Sequence, residues 1–368
     1  MTFDADVFVS GGGPAGLAAA IAARLAGLRV VLADARRPPI DKACGEGLLP
    51  DSLAVAARLG ISVKPEHGFP FRGICFRGAD GAIAADFPAG KGLGVRRTIL
   101  QSLLAEGAQQ AGVELLWGAP VTSIATHSVL VGQRELKARW IIGADGAQSS
   151  VRRWMRLQSF RRDSQRWSFR RHYRVAPWSE YVEIYWGEGC QFYVTPTSPD
   201  RVCLALVTRD PHRRIADELS QFPALRSRLA DGESMTSERG APAATRRLRR
   251  VTRGNVALIG DASGTVDPIA GEGICAAFQQ AVSLADALAA GDLSRYERDH
   301  ARLMRRPRFM ADCMLLLDRS ATLRTRALAA FAAHPALFSN LLALHVGKCK
   351  PARLAATVAA LGWRIVTA

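Results

Sequence analysis

The sequence predicts an α/β protein in which an antiparallel β-sheet is inserted into a Rossmann-like domain and a helical tail follows. Three observations lead to this prediction. A strand, a glycine turn, a helix and a second strand follow one another within the first 34 residues. Short apolar strands followed by a glycine and an aspartate recur near residues 145 and 260, with a strand-rich stretch between them. Strands that alternate with helices are typical of parallel sheets, whereas closely spaced strands favour an antiparallel sheet.

Length and composition place the 368-residue chain among globular proteins, since 48% of its residues are hydrophobic and 22% are charged. The seven cysteines are scattered without a CxxC pair, which argues against disulfides or a zinc finger and favours a reducing compartment. The seven histidines show no paired ligand spacing, so no metal is expected. We expect a cytoplasmic protein without a signal peptide. Peripheral membrane contact is left open by the largely apolar residues 327–347.

Positive charge is concentrated in two segments of a chain whose net charge is +16. Residues 151–175 contain nine arginines and one acid, and residues 239–253 contain six arginines and no acid. Because helix-turn-helix, RNP and zinc signatures are not found, we expect no nucleic-acid partner. A solvated surface, an anionic substrate, a nicotinamide phosphate or an anionic membrane surface remain as interpretations.

Residues 6–34 match a dinucleotide fingerprint, with the glycine turn at residues 11–16 between a strand and a helix. Gly11 permits the tight turn, Gly13 lets the backbone approach a pyrophosphate, and Gly16 lets the helix pack closely on the strand. The N-terminus of that helix presents free N–H groups to phosphates. The unit therefore predicts an adenine dinucleotide.

Asp34 ends the second strand, 21 positions beyond Gly13. An acid at this place accepts hydrogen bonds from the adenosine ribose and repels a 2′-phosphate. The site is therefore expected to hold FAD or NAD rather than NADP.

The remaining elements suggest how the chain is divided. Predicted helices cover residues 49–59, 97–111, 213–229 and most of the chain after residue 273; predicted strands cover 113–117, 138–144, 182–186, 191–195, 202–207 and 255–259; and a hairpin turns at Asp80-Gly81. From these we predict a discontinuous nucleotide domain over 1–70, 95–156 and 251–300, a substrate domain over 71–94 and 157–250, and a helical region over 301–368.

Three spaced signatures carry a family resemblance: residues 11–16, Gly143-Ala-Asp145-Gly146, and Gly260-Asp261-Ala262 followed by Pro268. Together they resemble the FAD-dependent monooxygenase superfamily with the para-hydroxybenzoate hydroxylase fold. The run from Lys42 to Leu48 is similar to its geranylgeranyl reductase branch. The resemblance implies FAD in a glutathione-reductase-type domain, NAD(P)H as a transient reductant with no fold of its own, and a small aromatic or lipid-like substrate.

The resemblance also implies which residues contact FAD. Asp261 accepts a hydrogen bond from a ribityl hydroxyl, and the helix after Gly271 directs its positive end towards the flavin N1–C2=O edge. Arg97, rather than its rival Arg96, matches an arginine that contacts FAD, and the alternative for Asp145 is a helix N-cap. The full predicted set is Gly11, Gly13, Pro14, Ala15, Gly16, Asp34, Arg97, Asp145, Gly146, Gly260, Asp261, Pro268, Gly271, Gly273 and Ile274.

Three residues are candidates for chemistry: Cys44, Glu46 and Glu272. Cys44 could donate a proton, shape the pocket or be inert. A carboxylate near a flavin acts as a general acid or base if burial raises its pKa, and surface solvation is the alternative. The predicted sheet also carries aromatic residues that could clamp a substrate or belong to the core, namely Trp178, Tyr181, Tyr185, Trp186, Phe192 and Tyr193.

The resemblance leaves three functions open. The first hypothesis is an NAD(P)H-dependent monooxygenase that hydroxylates an aromatic, polyketide-like or lipid-like substrate through a flavin C4a-hydroperoxide, since hydroxylation is the commonest chemistry of the superfamily. The second is a reductase of carbon–carbon double bonds, in which hydride leaves flavin N5 and an acid supplies the proton. The third is a non-catalytic flavoprotein scaffold. Tyr193 stands where reductases and halogenases carry a tryptophan. The Trp-x-Trp run typical of halogenases is not found in the sequence, which argues against halogenation. No oligomeric state is predicted.

Overall fold

The computed structural model describes residues 2–78, 81–349, 356–362 and 364. The strands are β1 (Ala5–Ser10), β2 (Val30–Asp34), β3 (Gly47–Leu48), β4 (Phe69–Phe71), β5 (Gly73–Gly78), β6 (Gly81–Asp86), β7 (Gly92–Gly94), β8 (Glu114–Trp117), β9 (Val121–Ala125), β10 (Ser128–Val131), β11 (Arg134–Gly143), β12 (Phe160–Ser164), β13 (Trp167–Arg174), β14 (Tyr181–Trp186), β15 (Cys190–Ser198), β16 (Arg201–Thr208), β17 (Glu233–Ser234), β18 (Arg239–Pro242), β19 (Thr245–Leu248), β20 (Thr252–Arg253), β21 (Val256–Leu258) and β22 (Gly264–Thr265). The helices are α1 (Pro14–Leu25), α2 (Pro50–Arg58), α3 (Arg97–Gln110), α4 (Ser150–Trp154), α5 (Ile215–Glu218), α6 (Pro223–Ala230), α7 (Gly273–Ala289), α8 (Leu293–Leu303), α9 (Arg305–Arg319), α10 (Ala321–Ala333) and α11 (Pro335–His345).

The first sheet contains the predicted Rossmann-like strands. Its order is β20-β21-β11-β1-β2-β8, and all neighbours from β21 to β8 pair in parallel. Strands β1, β2 and β21 are short and almost wholly buried, as expected for a parallel sheet covered by helices. Helices α1, α3 and α7 pack together beside it. The carboxyl ends of β1, β2 and β11 consequently meet at one edge, where α/β sheets bind ligands.

The second sheet combines strands from two distant parts of the chain, in the order β17-β13-β16-β15-β14-β5-β6, with β18 also paired to β13. The antiparallel prediction is correct for all of its pairs except β14 and β5, which are parallel, so the sheet is mixed. A parallel pair needs a long connection, and about a hundred residues separate these two strands. The predicted hairpin corresponds to β5 and β6, although Asp80 lies outside the described residues.

Two sequence predictions need correction within the described residues. The helix expected over residues 213–229 is broken into α5 and α6, because Pro223 can begin a helix but cannot continue one. The strand expected from residue 138 already begins at Arg134, where β11 pairs with β10 as an antiparallel hairpin. Both differences arise at element ends, which local sequence patterns define poorly.

The C-terminal helices pack against the second sheet. Helices α9, α10 and α11 contact one another; α10 and α11 also contact β6, and α9 contacts the short turn Pro268–Ala270. Their apolar side chains form a cluster with Phe76, Val182 and Ile184 of the sheet. Among the described residues no single helix is long and apolar enough to cross a membrane; α10 and α11 together meet the length and composition test but are bent by 106°.

Leu104 and Leu25 provide a matched test of the core between α1, α3 and the first sheet. Leu104 on α3 is 0% exposed and Leu25 on α1 is 62% exposed. We expect Leu104→Ala to lower the free energy of unfolding by about 2–5 kcal/mol, because it removes buried methyl groups and leaves a cavity. Leu25→Ala should change it by less than about 0.5 kcal/mol. Urea unfolding of both variants measures this, and equal losses would contradict the packing described.

Candidate functional site

A single large cavity of about 1450 Å³ extends from the carboxyl ends of the parallel strands to the second sheet and the C-terminal helices. It brings together all three signatures, which are separated by more than 100 residues in the chain. Every predicted cofactor and catalytic residue lines it except Gly16, which lies behind the first turn.

The glycine turn has the geometry that each glycine was predicted to provide. Gly11 has a φ of +115°, which favours glycine, and a Cβ there would lie 2.5 Å from the oxygen of Ala144. A Cβ on Gly16 would lie 1.9 Å from the oxygen of Gly11, so α1 packs directly on the turn. At Gly13 no heavy atom lies within 4 Å of a Cβ position. This open space in front of the N-terminus of α1 fits a phosphate group.

The two acids at strand ends, Asp34 and Asp145, line the cavity and also accept hydrogen bonds from backbone N–H groups. Asp34 accepts hydrogen bonds from the N–H groups of Gly12 and Arg36, both at 2.7 Å. Asp145 accepts from the N–H groups of Ser150 and Val151 through Oδ2, at 2.7 and 3.1 Å. Asp145 thus holds the first N–H groups of α4, but the N-cap residue of that helix is Ser149, whose hydroxyl accepts from the N–H of Arg152 at 2.9 Å. Its buried Oδ1 has no hydrogen-bond partner among the described residues and is available to a ligand.

Asp261 of the third signature has a partner that sequence reasoning missed. Lys42 donates to its Oδ2 at 2.8 Å, across 219 residues of chain. Burial raises the pKa of Asp261, but the ammonium of Lys42 outweighs this and holds the pKa below its usual value. Arg152 supports the same loop by donating to the oxygen of Ala262 at 3.0 Å. Asp261 is therefore ionised and fixed at the cavity wall.

The choice between Arg97 and Arg96 follows from their positions at the start of α3. Arg97 lines the cavity, whereas Arg96 is not among the lining residues. The N–H of Arg97 donates to Glu46 Oε1 at 3.0 Å, so the start of α3 is tied to the segment carrying Cys44. The contact of Arg97 with FAD stays a prediction.

Helix α7 begins at the cavity. Its first residue, Gly273, follows Gly271, whose φ of +68° reverses the chain after the turn Pro268–Ala270. At both glycines the Cβ position is open. Tyr193 on β15 donates its hydroxyl to the oxygen of Ile269 at 2.9 Å and connects this turn to the second sheet. The positive end of α7 thus faces open space in the cavity.

Glu272 is buried where this turn meets the C-terminal helices, with 3% of its surface exposed. Neither carboxyl oxygen has a hydrogen-bond partner among the described residues. Burial raises the pKa of Glu272 to about 8, although Arg306, at 3.4 Å and already paired with Asp51, opposes this. Burial also lowers the pKa of His345, 3.6 Å away, to about 4. At neutral pH Glu272 is mostly a protonated acid beside a neutral imidazole.

Glu46 and Cys44 line the cavity on the segment that precedes β3. Glu46 is buried and has a φ of +60°, a rare conformation for a residue with a side chain. Its Oε2 lies 2.7 Å from His172 Nε2. Cys44 is half-buried, and its sulfur accepts the N–H of Glu46 at 3.4 Å. His172 is a site residue that sequence reasoning missed; its alternation with Arg170 on one face of β13 is the only local signal.

The far half of the cavity is apolar and is enclosed by elements that local patterns did not assign to the site. Its lining includes Phe71, Ile74, Phe76, Val182, Ile184, Met314, Leu317, Phe331, Phe338 and Leu342. Of the six aromatic residues considered for a substrate clamp, Tyr193 alone lines this cavity. Trp178 and Tyr185 instead donate to the buried carboxylate of Glu183. Their role is structural.

The arginine-rich segments are not simply a solvated surface. Arg152, Arg166 and Arg170 are buried, each at no more than 4% exposure. Arg166 donates to Gln191 at 2.7 Å and lies 3.6 Å from both Asp267 and Asp318. Much of the concentrated charge therefore connects parts of the fold, because a buried guanidinium is tolerated only with such partners.

The raised pKa of Glu272 predicts a specific pH dependence of stability. Between the ordinary value of 4.5 and about 8 the folded state binds more protons than the unfolded chain. The contribution of Glu272 to stability should therefore fall as the pH rises through this window, by up to about 1.4 kcal/mol per pH unit, while the lowered pKa of His345 opposes this slope below about pH 6.5. Glu272→Gln should remove this slope. Urea unfolding of both proteins between about pH 5 and 8 measures it, and parallel curves would refute the burial effect.

Comparisons with known proteins agree with this geometry. The model of a family described as "FAD binding domain" matches residues 4–292. The menaquinone reductase of Mycobacterium tuberculosis (strain CDC 1551 / Oshkosh) is 29% identical over 322 residues, 79% of this chain and 78% of that protein. Digeranylgeranylglycerophospholipid reductase 1 of Methanothermobacter thermautotrophicus is 26% identical over 331 residues, 82% and 81% of the two chains. Rifampicin monooxygenase of Streptomyces venezuelae is 30% identical over 161 residues, which cover only 40% of this chain and 33% of that protein.

Solved structures show the same fold. A flavoprotein/dehydrogenase from Cytophaga hutchinsonii has a TM-score of 0.79 at 20% identity, covering 93% of this chain and 92% of that one. A geranylgeranyl bacteriochlorophyll reductase-like protein from Thermoplasma acidophilum has a TM-score of 0.76 at 18% identity, covering 99% and 98%. Both the predicted family resemblance and FAD as the cofactor are confirmed, and NAD(P)H is the reductant typical of the family. The chain belongs to the FAD binding domain family and is an FAD-dependent oxidoreductase with the para-hydroxybenzoate hydroxylase-type fold.

Proposed function

We propose that the protein is an FAD-dependent reductase that adds two hydrogens across a carbon–carbon double bond of a long apolar, isoprenoid-like substrate. The observation that carries this proposal is the position of Glu272. This buried, mostly protonated acid lies between two halves of the cavity. The glycine-rich half is lined by the three signatures, and the apolar half is lined by the second sheet and the C-terminal helices. Reduction of a carbon–carbon double bond needs a proton donor at that junction. We therefore favour the reductase over the monooxygenase, which was the first hypothesis from the sequence.

The residues of the glycine-rich half fit FAD. Gly13 leaves room for the pyrophosphate at the N-terminus of α1, and Asp34 lies at the end of β2 for the ribose. Asp261 supplies an ionised acceptor for the ribityl chain, and α7 directs its N-terminus towards the ring. The bound cofactor supplies hydride after reduction by a nicotinamide. The individual contacts, like the domain limits predicted from the sequence, are part of this proposal.

The chain's own contribution to the reaction is a proton and a dry, shaped space. Glu272 holds a proton at neutral pH and donates it to the carbon that does not receive hydride. Arg306, at 3.4 Å, then stabilises the carboxylate that remains. The apolar walls exclude water and align the chain of the substrate. Cys44 also lines the cavity, and the role we assign to it is to shape the pocket.

The size and lining of the cavity support a long substrate. A drug-sized pocket encloses roughly 300–1,000 Å³, and this cavity of about 1450 Å³ has an apolar half beyond the glycine-rich region. The two relatives that match about four fifths of the chain are named for reducing menaquinone and a digeranylgeranyl lipid. This supports an isoprenoid chain as the substrate class.

Hydroxylation is the second candidate, because a stretch of 161 residues is 30% identical to a rifampicin monooxygenase. That match spans 40% of this chain and 33% of the relative, and therefore weighs less than the reductase matches. The two reactions differ in their need for O2 and in the mass added to the product.

The experiment is turnover of the holoprotein with NAD(P)H and candidate prenyl chains, quinones with isoprenoid tails and phenols, with and without O2. Mass spectrometry of the product distinguishes the functions. A gain of two hydrogens under anaerobic conditions supports the reductase, whereas a gain of one oxygen that requires O2 supports the hydroxylase. Flavin reduction without a changed product from any of these classes would contradict both.

Glu272→Gln should separate proton donation from the other steps. We expect the turnover of double-bond reduction to fall by about 10²–10⁴-fold, because the amide cannot donate the proton. The FAD content and the rate of flavin reduction by NAD(P)H should not change. Glu106→Gln, on the exposed surface of α3, is the matched control and should retain turnover. Full activity in the Glu272 variant would show that another group is the acid.

Gly13→Ala and Gly16→Ala should affect the protein differently. The methyl of Gly13→Ala enters open space, so the apoprotein should keep its stability while FAD affinity falls by at least about tenfold. The methyl of Gly16→Ala would clash with the oxygen of Gly11, so this variant should unfold at a lower temperature even without FAD. Flavin titration and thermal unfolding of both measure this. Unchanged FAD affinity in Gly13→Ala would refute the pyrophosphate site.

A further inference from the structure

Glu46 belongs to a buried network that the reductase mechanism does not use. Its side chain lines the cavity, although the residue is only 3% exposed. It contacts His172 and Arg170, which extend from one face of β13 and are 0% and 1% exposed. The positive φ of Glu46 is a strained conformation that persists only where surrounding contacts impose it, and such residues cluster at functional sites.

The hydrogen-bond directions in this network follow from Arg170. A guanidinium can only donate, and its Nη1 lies 3.0 Å from His172 Nδ1. His172 Nδ1 must therefore carry the lone pair, and the proton of the neutral ring must be on Nε2. Nε2–H then donates to Glu46 Oε2 at 2.7 Å.

Both oxygens of Glu46 accept hydrogen bonds. Oε2 accepts from His172, and Oε1 accepts from the N–H of Arg97 at 3.0 Å. The Nε of Arg170 lies 4.0 Å from Oε1 and supplies a positive charge. A carboxylate satisfies this arrangement, because each oxygen accepts from a donor and neither is left to donate. Glu46 is therefore unsuited to the role of proton donor that the sequence suggested.

The other groups packed around Glu46 are consistent with this charge. Burial and the neighbouring Glu46 raise the pKa of the Cys203 thiol well above its usual value, so it stays neutral. Thr236 Oγ1 lies 3.3 Å from His172 Nδ1 and can donate to it as Arg170 does. Asp41 accepts from Arg170 at 2.6 Å and from the exposed Arg239 at 2.8 Å. Glu46 and Asp41 both line the cavity, but Asp41 is paired with two guanidinium groups.

The network also resembles a metal site, since ligand atoms of Glu46, His172 and Cys203 lie within 4.8 Å of one another. The direct Glu46–His172 hydrogen bond and the guanidinium beside the ring favour the hydrogen-bonded arrangement. A divalent cation would have to displace that bond and approach Arg170.

We propose that the Glu46 carboxylate, held by hydrogen bonds from His172 and from the N–H of Arg97, is a negative charge beside the bound flavin and lowers the reduction potential of FAD. Reduction adds negative charge to the ring, and a nearby carboxylate in a water-poor site makes that addition less favourable. The reduced cofactor is then a stronger hydride donor. His172 is a positioning residue, and Glu272 remains the acid. The inference rests on the proposed FAD site but not on the substrate.

The reduction potential of FAD tests the charge without any substrate. In the holoprotein we expect Glu46→Gln to shift the midpoint potential to a more positive value, whereas the surface control Glu106→Gln leaves it unchanged. His172→Gln should shift it in the same direction and add nothing in the Glu46→Gln background. An unchanged or more negative potential in Glu46→Gln would overturn the proposal. A protein that reduces no double bond could still show the shift, so failure of the proposed function is distinguishable.

The tautomer of His172 provides a second test that does not depend on a variant keeping its flavin. In ¹⁵N-histidine-labelled wild-type holoprotein we expect the neutral ring of His172 to carry its proton on Nε2, because Nδ1 accepts from Arg170. Its signal is identified by its loss in His172→Gln. A neutral ring with its proton on Nδ1, or stoichiometric zinc in the purified protein, would overturn the assignment.

Discussion

The cavity depends on the segment 41–47, which is held between the two sheets by charged contacts. Lys42 pairs with Asp261 beside the first sheet, and Asp41 pairs with Arg170 of the second. Glu46 links β13, through His172, to the start of α3, through the N–H of Arg97. The pair between Asp41 and Arg170 is mostly buried, and breaking a buried pair typically costs about 3–5 kcal/mol, because one charge is left without its partner.

Two buried glutamates illustrate how the environment assigns roles to the same side chain. Glu272 has no hydrogen-bond donor on either oxygen among the described residues, and burial raises its pKa to about 8. Glu46 has a donor on each oxygen and a guanidinium nearby. One residue is consequently suited to hold a proton and the other to hold a charge. Separate environments of this kind are how one site supplies both an acid and a fixed anion.

The C-terminal helices complete the apolar half of the cavity. Their side chains pack on β5, β6 and β14 and close the space beyond Glu272, which they also bury through Arg306 and His345. The same helices therefore shape the substrate space and raise the pKa of the acid. This coupling explains why a tail that reads only as helical in sequence belongs to the site.

Sequence alone was sufficient for the parts that local backbone chemistry dictates: the glycine turn, the acids after strands, most element positions, FAD and the family. A glycine turn between a strand and a helix has few alternatives, so its neighbours in the chain reveal it. The pairing of β14 with β5, the apolar wall and the partners of Glu46 depended on the tertiary structure. His172 lies 126 residues from Glu46, and only the register of β13 brings them together. Side-chain partners that distant leave no local pattern to detect.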